Sequence, residues 1–143
     1  MAKVLITDKI NDLAVRIVSN VAQVDNLPTM DEDKLCEIIG EYDALLVRSQ
    51  TKVTKKIIEA AKNLKIIGRA GVGVDNIDVE AATKQGIIVV NSPDGNTHAA
   101  AEHTIAMMMA MSRNIPSADL SVKQGLWERS KFTGVEVYSK TLG

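Results

Sequence analysis

The sequence predicts an α/β fold in which helices cover both faces of a doubly wound parallel sheet. Two observations support this prediction. Short apolar segments rich in Val, Ile and Leu recur five times before residue 92, and a segment of helical pattern separates each of them from the next. Strands that are apolar along their whole length are typical of parallel sheets, because each crossover between parallel strands lays a helix across the sheet.

The elements of the first 97 residues follow from these patterns in order. Strands are predicted at residues 3–7, 21–24, 44–47, 64–67 and 87–90, with helices at residues 11–18, 29–40, 54–62 and 78–85 between them. Thr29 and Glu32 have the spacing of a capping box, and Gly40 follows where a helix C-cap is expected. Asp78 is a suitable N-cap, and Gly86 ends the helix that Asp78 begins.

The remaining residues, 98–143, have a different pattern. A helix is predicted at residues 98–113, and its Ala and Met residues make it apolar on nearly all sides, so we expect it to be buried between layers or between subunits. A more polar helix is predicted at residues 117–124, and an irregular, charged arm follows at residues 125–134. Residues 140–143 have the pattern of a strand start, which we interpret as a sign that the sequence is a fragment of a longer protein.

The composition argues against several classes of function. A net charge of -1 and a pI of about 6.1 indicate no basic surface of the kind that binds nucleic acid. Cys36 is the only cysteine, so no disulfide forms within the chain and a reducing, cytoplasmic location is expected. No signal sequence or bilayer-spanning apolar run is evident, so no membrane partner is expected. His98 and His103 lack the spacing of a helical zinc pair, so no metal site is predicted.

Three glycines within six residues, Gly68, Gly71 and Gly73, separate a predicted strand from the helix that begins at Asp78. Such glycines let the backbone come close to a ligand, and N–H groups near a helix N-terminus favour an anion. The same pattern also fits a plain turn in which Gly68 and Gly71 supply positive φ angles. It does not match the dinucleotide fingerprint G-x-G-x-x-G, because Asn76 occupies the position of the third glycine.

Polar residues also follow the other predicted strands. Because open parallel sheets bind ligands at the carboxyl ends of their strands, we expect Arg48, Ser49, the amides of residues 71–73 and Asn96 to share one edge. Arg48 supplies donors suited to a carboxylate or phosphate, while Ser49 and Asn96 add a hydroxyl and an amide. Together these residues predict a receptor for a small anion. Taken singly, each is equally compatible with a surface or helix-capping role.

Several segments together resemble the amino-terminal part of the D-isomer-specific 2-hydroxyacid dehydrogenases. They are LVRSQT at residues 46–51, IGRAGVGVDNID at 67–78, VNSPDGNT at 90–97, WER at 127–129, FTG at 132–134 and KTLG at 140–143. The resemblance covers nearly the whole chain, and the Trp127 segment is more similar to the phosphoglycerate branch of the family. It implies a flavodoxin-like substrate-binding domain at residues 1–97, followed at residues 98–143 by the first helices of a truncated, Rossmann-like NAD-binding domain.

The resemblance also implies roles for individual residues. Arg48, Ser49 and Asn96 would hold the substrate carboxylate or phosphate, the amides of Gly71, Val72 and Gly73 would cradle the carboxylate, and Val72 would lie beside the nicotinamide of NAD. In the phosphoglycerate branch the substrate is 3-phosphoglycerate, which is oxidised to 3-phosphohydroxypyruvate in the first step of serine biosynthesis. The family's dinucleotide fingerprint and catalytic Arg, Glu and His come after the segment that resembles residues 140–143. The chain alone is therefore expected to be inactive and not to bind NAD tightly.

Two alternatives stay open at this stage. A related enzyme activity, such as reduction of glyoxylate or hydroxypyruvate, would use the same residues. A non-catalytic module that binds a small anion or has a regulatory role is also compatible with a chain that lacks the cofactor fingerprint. We further expect the helix at residues 98–113 and the arm at residues 125–134 to form the contacts of a homo-oligomer.

Overall fold

Five parallel strands form a single sheet in the first of the two units into which the chain divides, Met1–Gly95 and Asn96–Gly143. The computed structural model describes all 143 residues. The strands are β1 Lys3–Ile6, β2 Gln23–Asn26, β3 Ala44–Val47, β4 Ile66–Arg69 and β5 Ile88–Asn91, and their order across the sheet is β2-β1-β3-β4-β5. The predicted parallel α/β architecture is confirmed.

Helices lie on both faces of this sheet. They are α1 Asp12–Ser19, α2 Glu32–Ile38 with a 3-10 turn at Ile39–Glu41, α3 Lys55–Ala60 and α4 Val79–Lys84. One face, with Leu5, Leu45 and Ile67, packs against α2, α3 and α4 to form the larger core. The other face packs against α1 alone. Because no other helix of this unit crosses that second face, Ile88 and Val90 of β5 stay exposed there.

Two strands begin later than the sequence pattern predicts. We expected β2 at residues 21–24, but the N–H groups of Val21 and Ala22 still bond to the carbonyl of Val18 in the last turn after α1. We expected β4 at residues 64–67, but Leu64 remains in the turn after α3. Pairing with the neighbouring strands sets both boundaries, whereas the apolar pattern extends into the preceding turns. The other strands and the helices α1, α3 and α4 lie within two residues of their predicted ends.

The predicted caps of α2 are wrong. Asp31 caps this helix, since its side chain accepts a hydrogen bond from the N–H of Lys34. Thr29, the predicted cap, instead donates to the carbonyl of Thr7, because the approach to α2 runs beside the end of β1. Gly40 lies inside the 3-10 turn and does not adopt a positive φ angle, so it is not a C-cap. The predicted roles of Asp78 and Gly86 at the two ends of α4 are confirmed.

The second unit contains α5 Thr97–Ser112, α6 Ile115–Lys123 and a short 3-10 helix at Arg129–Phe132. No residue of α5 is buried in the chain taken alone, so this helix does not lie between layers of its own chain, and its burial between subunits stays a prediction. Residues 140–143 form no strand, because they have no ladder partner in this chain. Although α5 is apolar, none of the helices is long and apolar enough to cross a membrane.

The larger core should dominate the stability of the first unit. Leu45 lies at the centre of the sheet with 0% of its surface exposed, so Leu45→Ala should lower the free energy of unfolding by about 3 kcal/mol. Leu13 on α1 is 63% exposed, and Leu13→Ala is the matched control with an expected change of about 0.5 kcal/mol or less. Urea unfolding followed by circular dichroism measures both, and equal losses would contradict this assignment of the core.

Candidate functional site

Three loops meet at the carboxyl edge of the sheet. β1 pairs with β3, and β3 pairs with β4, all in parallel. Because parallel strands end at the same edge, the chain leaves all three strands on one side. We call the segments that follow them the β1 loop (residues 7–11), the β3 loop (residues 48–54) and the glycine loop (residues 70–78).

Asp8 joins the β1 loop to the β3 loop. Its side chain accepts hydrogen bonds from the backbone N–H groups of Arg48 at 2.7 Å, Gln50 at 3.0 Å and Thr51 at 3.1 Å, and from the hydroxyl of Thr51 at 2.5 Å. Thr29 also donates to the Asp8 carboxylate, at 3.1 Å. Asp8 is only 3% exposed, so these donors replace water around its charge. The carboxylate therefore determines the course of the backbone through Arg48.

The hydrogen bonds also set the charge state of Asp8. Burial disfavours the charged form and raises the pKa of Asp8, whereas the donors of Thr51, Arg48 and Gln50 stabilise the carboxylate and lower it. The hydrogen bonds outweigh burial, and the pKa of Asp8 lies below its ordinary value of 3.8. Asp8 is therefore ionised at neutral pH and is not a general acid.

Asn76 holds the β3 loop from the opposite side. Its side-chain N–H groups donate to the carbonyls of Arg48 at 2.8 Å and Thr51 at 2.7 Å. Its side-chain oxygen accepts from Nε of Arg69 at 2.7 Å. Asp8 thus binds the N–H groups of the β3 loop and Asn76 binds its carbonyls. The residue that replaces the third glycine of a dinucleotide fingerprint is a structural link between two loops.

Arg69 lies against the glycine loop, with only 12% of its side chain exposed. A Cβ atom on Gly71 would lie 2.6 Å from the Nη1 atom of Arg69, so a side chain at residue 71 would displace the guanidinium. Neither Gly71 nor Gly73 has a positive φ angle. The interpretation that Gly68 and Gly71 supply positive φ angles is therefore wrong. Gly68 lies within β4, where a Cβ would approach Leu46.

The backbone N–H groups of the glycine loop are not equivalent. Gly71 donates to the carbonyl of Arg69 at 2.9 Å, so its N–H is already occupied. The N–H groups of Val72 and Gly73 have no acceptor within the chain. The carbonyls of Gly71 and Val72 bond to Ser92 and Asn91, which fix the loop against the end of β5. Of the three predicted amides, those of Val72 and Gly73 are available to a ligand.

The structure separates Arg48 from Ser49. Both are exposed, but Arg48 lines a cavity bounded by the β1 loop and by Ala70, whereas Ser49 lines a different cavity beside Lys52 and Asp75. The guanidinium of Arg48 has no ion-pair partner in the chain. Asn96 is the first residue of the second unit, and its side chain makes no capping hydrogen bond to α5.

The sequence assigned no role to the side chains of Asp8, Asn76 and Arg69. It indicated only their positions: Asp8 follows the end of a strand, as Arg48 does, and Arg69 and Asn76 lie in the segment with the three glycines. No group of three or more His, Cys, Asp or Glu residues is arranged to hold a metal ion. The site therefore consists of a cation and two free amides on loops that hydrogen bonds connect, an arrangement suited to binding an anion.

The chain is similar to a known protein family and to curated proteins. A family model described as "D-isomer specific 2-hydroxyacid dehydrogenase, catalytic domain" matches residues 4–141. A D-3-phosphoglycerate dehydrogenase of Synechocystis sp. is 62% identical over 143 residues, which are 100% of this chain and 26% of that protein. The chain spans about a quarter of the length of the curated relatives it matches.

Two solved structures are also similar. The PH0520 protein of Pyrococcus horikoshii is 31% identical, with a TM-score of 0.79 over 95% of this chain and 42% of that chain. The NAD+-bound 3-phosphoglycerate dehydrogenase of Entamoeba histolytica is 32% identical, with a TM-score of 0.68 over 78% of this chain and 39% of that chain.

Removing the charge of Asp8 should loosen the β3 loop. Asp8→Asn replaces an acceptor with an amide that faces backbone donors, and we expect a loss of about 2–3 kcal/mol in the free energy of unfolding at pH 7. Because the folded pKa of Asp8 is lowered, its contribution is complete above pH 3.8 and disappears as the pH falls through the folded value.

Chemical denaturation between pH 2 and pH 7 tests this expectation. The stability difference between the wild-type protein and Asp8→Asn should shrink toward acid pH. Asp94→Asn, which changes an exposed carboxylate without a partner, is the matched control and should leave the profile unchanged. A constant difference at every pH would show that the charge of Asp8 does not hold the loop.

Proposed function

Because the chain belongs to the D-isomer-specific 2-hydroxyacid dehydrogenase family, we propose that it is the substrate-binding part of an NAD-dependent dehydrogenase that oxidises 3-phosphoglycerate. The observation that carries this proposal is the site itself: Arg48 without an ion-pair partner and the free amides of Val72 and Gly73, at the carboxyl edge of the sheet. The names of the curated relatives support 3-phosphoglycerate as the substrate.

The proposal assigns the first unit to substrate binding and the second to the beginning of the nucleotide-binding domain. Arg48 binds the phosphate or carboxylate of the substrate, and the amides of Val72 and Gly73 bind the carboxylate. Ser49 and Asn96 are further substrate-binding candidates from the family resemblance. The cavity that Ser49 lines is separate from that of Arg48, so Ser49 is the weaker of the candidates in the first unit.

The residues of this chain do not form a cradle for the pyrophosphate of NAD. The glycine loop has Asn76 in place of the third glycine, and the side chain of Asn76 is occupied by Arg48 and Thr51. NAD would be a cofactor of the proposed longer enzyme, where it would supply the hydride acceptor, and Val72 is the residue of this chain that would approach it. By itself the chain is proposed to bind substrate without oxidising it.

Two other proposals concern the surroundings of the protein. The cytoplasm is its proposed location, supported by the single unpaired Cys36. A second copy of the chain is a proposed partner, through α5 and the arm at residues 125–134, because α5 exposes Ile105, Met107 and Met111.

A non-catalytic anion-binding module is the alternative that the geometry also favours. Arg48 and the two free amides would bind a small anion without any acid-base residue. Comparison of 3-phosphoglycerate with glycolate and glyoxylate separates the alternatives. Preference for the phosphorylated acid supports the proposed substrate, whereas equal binding of all three favours the general module or a related dehydrogenase.

Loss of Arg48 should weaken substrate binding. A charge-assisted hydrogen bond accounts for about a ten-fold or larger change in affinity, so Arg48→Ala should raise the dissociation constant of 3-phosphoglycerate by at least that factor. Nuclear magnetic resonance titration of the labelled chain measures it. Arg16→Ala, at an exposed arginine of α1, is the control. In a longer dehydrogenase that carries this segment, KM for substrate should rise while KM for NAD stays constant. Unchanged substrate affinity would remove Arg48 from the site.

Exposed apolar residues of α5 should drive self-association. Sedimentation velocity of the chain at increasing concentration should reveal dimers or larger species, and Met107→Glu combined with Met111→Glu should reduce them. Val21→Glu places the same charge on an exposed apolar position of the first unit and should have no effect. A monomer at all concentrations would contradict the proposed homo-oligomer.

A further inference from the structure

The strand order creates a switch point between β1 and β3. The chain leaves β1 toward β2 through α1, and it leaves β3 toward β4 through α3. Since β2 and β4 lie on opposite sides of this strand pair, the two connections diverge. In open α/β sheets such a divergence opens a crevice at the carboxyl edge, and ligands bind in it.

A cavity of about 480 Å³ occupies this position. Its lining residues come from the loops after β1, β3 and β4 and from the start of α1: Lys9, Ile10, Asn11, Ala14, Arg48 and Ala70. Two of these six residues are cations, and none is an acid. Asp8 and Asp12 line a neighbouring cavity, which Lys9 and Ile10 also line.

Both cations of this cavity lack a carboxylate partner. Neither Lys9 nor Arg48 has an ion pair within 4.0 Å, whereas Lys3 and Lys65, at the opposite edge of the sheet, are paired with Glu41 and Asp43. The carboxylate of Asp8 lies next to Lys9 in the sequence, but it is buried and bonded to the β3 loop. Neither cation is therefore held in an ion pair, and both side chains are available to an external anion, with the ionised Asp8 carboxylate bonded to the backbone beside them.

We propose that Lys9 is a second cationic ligand of the substrate's phosphate group, which it binds together with Arg48 in the cavity at the switch point. This inference rests on the proposed function and extends it. A phosphate monoester carries a charge of about -1.5 to -2 at neutral pH, so one guanidinium leaves part of its charge uncompensated. Arg48 supplies a planar fork of donors and Lys9 supplies a compact charge.

In this arrangement the two charged groups of the substrate bind at the two ends of one crevice. Ala70, which lines the cavity, is followed directly by the glycine loop with the free amides of Val72 and Gly73. The phosphate lies in the cavity with Lys9 and Arg48, and the carboxylate lies on those amides. Lys9 is thus a specificity-determining residue, because it contacts only the group that distinguishes 3-phosphoglycerate from an unphosphorylated acid.

Substitution of Lys9 tests this role. Lys9→Gln should weaken binding of 3-phosphoglycerate to the 143-residue chain about five- to ten-fold. This factor is smaller than for a buried charge pair, because the site is partly open to solvent. Binding of D-glycerate, which lacks the phosphate, should not change. Lys9→Arg keeps the charge and should restore most of the affinity. Lys62→Gln, at an exposed and unpaired lysine before β4, is the matched control.

The ligands separate failure of this inference from failure of the proposed function. If the wild-type chain binds 3-phosphoglycerate better than D-glycerate but Lys9→Gln binds both as the wild type does, the role of Lys9 is overturned and the proposed substrate stands. If the wild-type chain shows no preference, the proposed substrate fails. Inorganic phosphate then tests the cavity alone: amide shifts at residues 9–11 and 48 that Lys9→Gln abolishes support an anion site, and their absence overturns it.

Discussion

The hydrogen bonds between Asp8 and the backbone after β3 are the interaction on which the site depends. A buried carboxylate is stable only when donors replace its lost hydration, and here the N–H groups of Arg48, Gln50 and Thr51 do so. The same bonds make the backbone turn at Arg48, so the side chain of Arg48 lies at the carboxyl edge of the sheet. Asn76 binds the carbonyls of that turn and connects it to the glycine loop. Asp8, as an acceptor, and Asn76, as a donor, thus connect the three loops to one another.

In the glycine loop, the space available to a side chain, rather than the backbone conformation, is what restricts residue 71. None of the loop's glycines needs a positive φ angle, but the guanidinium of Arg69 occupies the position that a side chain on Gly71 would take. Arg69 in turn bonds to Asn76. The loop therefore packs against the charged side chain of Arg69. The two free amides of Val72 and Gly73 belong to this packed backbone. Preorganised donors of this kind bind an anion at little conformational cost.

Family membership and the site geometry support the same chemistry through different arguments. The family model covers nearly all of the chain, and the geometry offers cations and free amides to an anionic ligand. Neither argument supplies an acid-base group or a dinucleotide cradle from these residues. Apolar residues of α5 and β5 remain exposed in the chain. Substrate binding is the part of the proposed reaction that we assign to this chain.

The sequence by itself determined the parallel α/β architecture, the position of nearly every element and the strand ends that share the carboxyl edge of the sheet. Local patterns are sufficient for these features, because apolar strands, the Asp78 cap and Gly86 act over a few residues. The tertiary structure decided the starts of β2 and β4, because strand pairing sets them. It also decided the roles of Asp8 and Asn76, which connect loops that are distant in the sequence. Asp8 and Thr51 are 43 residues apart, and no local pattern predicts that one will bind the other.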